Sequence, residues 1–381
     1  SRVEVWKIKI REDVVEAFDE VVKAEAAAFS DRVLPAEIKG RRDLRDVDLV
    51  TIDPADARDH DDALFCERTK DGFRVIIAIA DVSHYVREHT AIDRAALERG
   101  CSIYLPDRAI PMLPPELSTH LASLVANKDR LCMGVEVLLS KGGKIEKVEM
   151  FEGVMRCHGG LTYEGVARAL KLTDEGDKQP QAEKRVPGLQ ALLDLSRILR
   201  RKRMRRGSLD FDLPEARVKL DENDEPVDIV RSRKDPGVRE AYRLVEEMML
   251  LANEVVAGEI KRRSVPGVFR IHPKPDEKKV GRFAQLATAL GHDLDLDAAR
   301  DPKQLSKFLK SIEGSDDAPV LQYLLLRAMQ QASYDVNSEI GHFGLAAKDY
   351  LHFTSPIRRY PDMMVHRIVR KLIRGESFDV A

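Results

Sequence analysis

Cysteine is scarce in this 381-residue chain: four residues, Cys66, Cys101, Cys132 and Cys157, lie far from one another. They form no C-x-x-C pair, and no paired histidines follow at zinc spacing, so a zinc module is not expected. Isolated thiols suit a reducing compartment better than a disulfide framework, and a cytoplasmic location is expected. Long apolar runs are missing as well. None approaches the ~18 residues of a membrane span and no signal peptide opens the chain, so no membrane partner is expected. An excess of either charge is the third absence: 63 Lys and Arg face 65 Asp and Glu, for a formal net charge of -2. A uniformly basic coat is thereby excluded, but a polyanion needs only a local basic surface. No internal repeat is visible.

What is present is a chain with 43% apolar residues, enough for a sizeable core and long enough for two or three subdomains. It opens on Ser1 rather than Met and reads as a piece of something longer. "VEVWKIKI" alternates like an edge strand, and "DVVEAFDEVVKAEAAAF" follows with helical spacing. Strands then dominate: "DLVTID", "ALFCER", "FRVIIAIADV" and "LCMGVEVLLS", with "TKDG" and "KGGK" as turns, the Asp-Gly pair tolerating positive φ. "IDRAALERG" is a short helix stopped by Gly100, and "SIYLPDRAIPMLPPELS" is irregular. Helical patterns follow in "GLTYEGVARALKL", "GLQALLDLSRILRRKRMRR" and "REAYRLVEEMMLLANEVVAGEIK", with a β-hairpin expected within "SLDFDLPEARVKLDENDEPVDIVRS". The expected class is α+β, a mixed β-sheet core with hairpins surrounded by helices.

The stretch "TIDPADARDHDD" sets five aspartates in twelve positions. Crowded carboxylates resist joint ionisation, so a cation is expected among them. Asp53, Asp59, Asp61 and Asp62 follow a D-x5-D-x-D-D spacing, with Asp56 inside the loop. Pro54 and the polar residues after it break the strand, and a loop could turn several side chains to one point. Hard anionic oxygens gathered this way suit Mg²⁺ or Mn²⁺. A Ca²⁺-binding EF-hand fails, because neither D-x-[DN]-x-[DN]-G nor the turn glycine is present. The bland reading is a solvated acidic loop partnered by Arg58, which the apolar strands on either side disfavour.

A second unusual stretch is "HFTSPIRRYPD", residues 352–362. Pro356 and Pro361 restrict the backbone around Arg358 and Arg359, and an arginine on so stiff a segment could offer its planar fork to a phosphate. The alternative is a helix N-terminus with Pro356 in its first turn and two surface arginines.

Together the two stretches resemble the opening and closing signatures of the ribonuclease II/R (RNB) family, with wording nearest its ribonuclease R members. Between them "YLPDRAIPMLPPELS", "RLCMGVEV", "LTYEGV", "FRIHPKP" and "GHFGLA" fall in the family's order. The resemblance covers about residues 42–375 and implies the RNB catalytic fold enclosing an RNA channel. It implies a processive, Mg²⁺-dependent (Mn²⁺ as a substitute) hydrolytic exoribonuclease that degrades single-stranded RNA from the 3′ end to nucleoside 5′-monophosphates. Motif for motif, Asp53 and Asp62 bind the metal directly, Asp61 reaches a second ion and Asp59 supports the arrangement. Asp59, Asp61, Asp62 and Arg358 are the catalytic set, while Tyr104, Tyr163 and Arg358 contact RNA. Residues 1–41 are expected to be a lead-in from a preceding domain, and residues 42–381 the catalytic domain, truncated at its C-terminus. Such a piece should act as a monomer without an obligate protein partner and grip RNA less firmly than a longer relative.

Departures and leftovers remain. His60 stands where the family usually has a bulky apolar residue and is expected to pack or support rather than ligate. "HGGLTY" is looser than the usual run before Tyr163. "RILRRKRMRR" carries seven basic residues in ten, either an electrostatic guide for RNA or a helix face balanced by the acidic hairpin nearby. His272 and His342 are expected to be structural. A catalytically inactive RNA-binding member would be expected to lack an aspartate or the arginine; all are present.

Overall fold

The computed structural model describes residues 2–211, 216–223, 225–231 and 235–378. It divides into two compact units: Ser1–Leu195 with Glu215–Ala252 and Phe353–Ala381, and Ser196–Pro214 with Asn253–His352.

The first unit is built on a closed barrel. Its chain supplies β1 (Arg42–Asp53), β2 (Asp62–Arg68), β3 (Gly72–Ala80), β4 (Ile103–Tyr104), β5 (Ala109–Ile110), β6 (Asp129–Ser140) and β7 (Ile145–Thr162). The barrel order is β1-β2-β3-β6-β7, while β4 and β5 form a separate small ribbon. Neighbours run antiparallel until β7 closes on β1 in parallel. β3 is the element the sequence marks most clearly. Val75 to Ala80 is an unbroken apolar run, and all six side chains are buried, as a strand covered on both faces requires. The "TKDG" turn forms between β2 and β3, but neither Asp71 nor Gly72 takes positive φ. The turn is closed instead by Thr69, whose Oγ1 accepts from Gly72 N at 3.0 Å. Glycine is needed there for closeness, since a Cβ would come 2.0 Å from the Leu139 carbonyl oxygen.

Helix Tyr360–Arg374 packs one face against this barrel through Tyr360 and Met363, with Pro361 in its first turn and Gly375 at φ 68° ending it. Arg370 pairs with the fully buried Asp81, Arg41 reaches the same carboxylate at 2.8 Å, and Arg374 grips Glu152 with two hydrogen bonds of 2.8 and 2.9 Å. Pro356 therefore precedes the helix rather than opening it.

Two expectations shift. "VEVWKIKI" is not an edge strand but lies in helix Arg2–Arg11. A strand needs a partner ladder, whereas a helix satisfies its backbone groups by itself. The helical pattern after it narrows to Glu20–Ala27, because Asp19 caps that helix by accepting from Val22 N at 2.8 Å. Of the acidic hairpin, β8 (Ala216–Leu220) and β9 (Pro226–Arg231) pair antiparallel, while residues 212–215, 224 and 232 of that stretch lie outside the described residues.

The second unit is mainly helical. Helices Glu277–Ala289, Pro302–Ser311 and Ala318–Ala328 surround a core that includes Val280, Phe283, Leu305, Phe308, Leu321 and Leu325. A short ribbon pairs β10 (Phe269–Ile271) with β11 (Ser333–Asp335). His272 bridges the Gln330 carbonyl oxygen and Gly344 N, and His342 Nδ1 accepts from Leu345 N, which gives both histidines structural work. The basic stretch is partly consumed here: Arg200 pairs with Asp210, Arg203 donates to Ser208 Oγ, and Arg206 grips Glu254. Among the described residues no helix is long and apolar enough to cross a membrane.

Candidate active site

The acidic loop hangs between two barrel strands. Asp53 is the last residue of β1, in register with Thr162 of β7, and Asp62 is the first of β2, in register with Ile79 of β3. Between them the loop is stitched down by Ser123. His60 N donates to Ser123 Oγ at 2.9 Å, Ser123 Oγ donates to the Arg58 carbonyl at 3.2 Å, and Leu124 N donates to the His60 carbonyl at 3.0 Å. The loop is thus held by main-chain and hydroxyl contacts, and its carboxylates are left for other work.

The arginine segment meets this loop from the far end of the chain. Asp61, 6% exposed, accepts through Oδ1 from Ile357 N at 2.9 Å, a bond spanning 296 residues. Its Oδ2 lies 3.7 Å from Arg358 Nε. Arg358 also donates to Ser355 Oγ at 3.0 Å, and its carbonyl accepts from Ser102 N at 3.0 Å. Beneath it the buried Asp362 accepts from Ser355 N and Arg359 Nη2 at 2.8 and 2.7 Å. Cys101 pairs with Arg359 in an isolated antiparallel bridge, two residues before the β4–β5 ribbon. Tyr104 stands on that ribbon with its ring exposed, and its hydroxyl donates to Asp59 Oδ2 at 3.4 Å.

The structure therefore brings together Asp53, Asp59, Asp61, Asp62, Tyr104 and Arg358. Tyr163 follows Thr162, the register partner of Asp53, and begins helix Tyr163–Ala169; its ring stacks on Tyr242 with centroids 3.6 Å apart. Asp56 is exposed. Sequence reasoning missed Tyr242, Ser123, Ser355 and Asp362. Tyr242 is hidden in an apolar helical pattern, and the other three are common polar residues whose partners lie far away in sequence. His60, expected to pack or support rather than ligate, has its Nδ1 2.7 Å from Asp53 Oδ2.

Electrostatics fit the crowding. Burial, and then the Asp53 charge, pushes the Asp62 carboxyl up to about 8, with Arg358 partly opposing. Burial likewise holds Asp61 well above the usual carboxylate range, against the pull of Arg358 and Ile357 N. His60 is raised by its hydrogen bond to Asp53, partly offset by burial. Among the described residues no three His, Cys, Asp or Glu side chains are grouped so as to hold a metal ion as they stand. The donor chemistry nevertheless suits a hard dication. Four carboxylates face one region, two of them disfavoured as anions, and positive charge there would offset that cost.

The chain is similar to known proteins over nearly its whole length. Residues 41–375 match the family model described as RNB domain. Ribonuclease R of Aquifex aeolicus is 41% identical over 368 residues, which cover 95% of this chain and 51% of that protein. Ribonuclease R of Escherichia coli is 40% identical over 360 residues, 94% of this chain and 43% of that one. The chain thus spans about half the length of the curated relatives it matches. Among solved structures, Mycoplasma genitalium RNase R in complex with ribose methylated single-stranded RNA superposes with a TM-score of 0.90 at 28% identity, covering 99% of this chain and 58% of that one.

Proposed function

Because this chain belongs to the RNB domain family, we propose that it is a metal-dependent 3′→5′ exoribonuclease that hydrolyses single-stranded RNA processively to nucleoside 5′-monophosphates in the cytoplasm. The observation that carries the reading is the meeting of Arg358 with the Asp53–Asp62 cluster across almost the whole chain. An anionic cluster alone repels a phosphate; an arginine fork set against it makes a place where a phosphodiester can sit with both signs of charge at hand.

In this reading water attacks the terminal phosphorus, the bond to the 3′ oxygen of the penultimate nucleotide breaks, and a 5′-monophosphate leaves with a fresh 3′-hydroxyl behind it. Arg358, steadied by Ser355 and Asp61, stabilises the charge that grows on the non-bridging oxygens. Tyr104 offers its exposed face to the 3′ base, which is compatible with any sequence because every base has a π-face. Tyr163, stacked on Tyr242, contacts the neighbouring nucleotides. Asp53, Asp59, Asp61 and Asp62 would hold the cation, Mg²⁺ or Mn²⁺ in its place. When bound, that cation supplies charge neutralisation and a water made acidic enough to attack near neutral pH.

Incubation of poly(A) with Mg²⁺ tests the reading. Wild-type protein should release AMP, and release should stop with EDTA or in Asp62→Asn. Release of nucleoside 3′-phosphates, or AMP release that persists in EDTA, would contradict it.

A further inference from the structure

Three carboxylates of the acidic cluster are each held by a different neighbour: Asp53 by His60, Asp59 by Tyr104, and Asp61 by Ile357 N and Arg358. The first contact is the shortest of these, at 2.7 Å, and both of its ends are anchored. Asp53 is fixed at the end of β1 by its register with Thr162. His60 is fixed through its own backbone, whose N–H donates to Ser123 Oγ and whose carbonyl accepts from Leu124 N. Ser123 is secured in turn, its carbonyl accepting from the buried Arg130 Nε at 2.9 Å. The imidazole therefore stands on a hydrogen-bonded loop with its Nδ1 against the Asp53 carboxylate.

We propose that His60 is a positioning residue for Asp53, engaging Oδ2 so that Oδ1 is presented to a divalent cation. The inference rests on the metal reading given above and assigns to it a residue outside the ligand set. Partners of this kind restrict a carboxylate's torsions before the ion arrives, and their removal typically lowers metal affinity about 10–100-fold. A ring that merely fills space would have no such effect, since any side chain of similar bulk would replace it. The two possibilities separate because asparagine can place its amide nitrogen where Nδ1 stands, while leucine can only fill the volume.

The test is Mn²⁺ binding to the RNA-free full chain, followed by electron paramagnetic resonance, for wild type, His60→Leu, His60→Asn and Asp53→Asn. His60→Leu should bind Mn²⁺ about 10–100-fold more weakly, with His60→Asn recovering most of the loss. Urea unfolding without metal should be little changed in His60→Asn, so that its recovery reports positioning even if the leucine variant folds poorly. Wild-type affinity in His60→Leu, or equal weakness in the Asn and Leu variants, would overturn the role of His60 while leaving the metal reading intact. A wild-type protein with no saturable Mn²⁺ binding would overturn both, and binding unaffected by Asp53→Asn would remove Asp53 from the site and His60 with it.

Discussion

At the scale of single residues, the site pairs a charge with something that constrains it. Asp61 is held by Ile357 N, Arg358 by Ser355 and Asp53 by His60. Tyr104 differs, because its ring is exposed and only its hydroxyl tip is engaged, loosely, by Asp59. A stacking role predicts that Tyr104→Ala weakens binding of a short oligoadenylate by about 1–3 kcal/mol, while Tyr104→Phe keeps most of the affinity. Fluorescence anisotropy in EDTA, which prevents turnover, measures this directly. Equal losses in both variants would assign the effect to the hydroxyl rather than the ring. The aspartates and Arg358 were legible in the sequence because their density and flanking prolines are unusual. Ser355, Asp362 and Ser123 were not, because nothing local distinguishes a serine or aspartate that finds its partner only after folding.

At the scale of elements, periodicity was a good guide where burial enforces it. β3 is covered on both faces and its apolar run is continuous, so its assignment followed. "VEVWKIKI" has a strand's alternation but forms a helix, since alternation specifies a strand only where a neighbouring strand can pair with it. The Asp-Gly turn illustrates a related limit: glycine was expected for its φ but is needed for its proximity to Leu139. The helix Tyr360–Arg374 carries a further prediction through Asp81. Burial alone would raise that carboxyl, but Arg370 and then Arg41 outweigh it and hold it near 2, below its ordinary 3.8. A depressed folded value means the stabilisation is complete above about pH 4 and is lost as pH falls through 2. The contribution is about 2 kcal/mol. Asp81→Asn would leave the buried Arg41 and the half-buried Arg370 short of a counter-ion, at a cost of about 3–5 kcal/mol. Urea unfolding of wild type and variant between pH 2 and 7 should show a gap that narrows by about 2 kcal/mol towards the acid end. A gap constant across that range would deny the ion pair its role.

At the scale of the whole molecule, the first unit is discontinuous in sequence. It takes residues from both ends of the chain, and the second unit interrupts it twice, at Ser196–Pro214 and at Asn253–His352. The barrel places the acidic loop, the Tyr104 ribbon and the arginine segment within that one unit, although they are separated by as many as 296 residues. Composition could not foretell this, because a net charge of -2 says nothing about where opposite charges meet. Only the pairing of two rare motifs pointed to it, and the physical reason is now plain: the arginine segment delivers both its main-chain N–H and its guanidinium to Asp61. The most direct test is a single-turnover measurement on 5′-labelled poly(A) with Mg²⁺, comparing wild type with Arg358→Ala at saturating enzyme, alongside RNA affinity in EDTA. A ladder shortening from the 3′ end, slowed about 10²–10³-fold in the variant with affinity nearly unchanged, is the expected result. An unchanged rate at saturation with weakened affinity would make Arg358 a binding residue only and contradict the assignment of this site to catalysis.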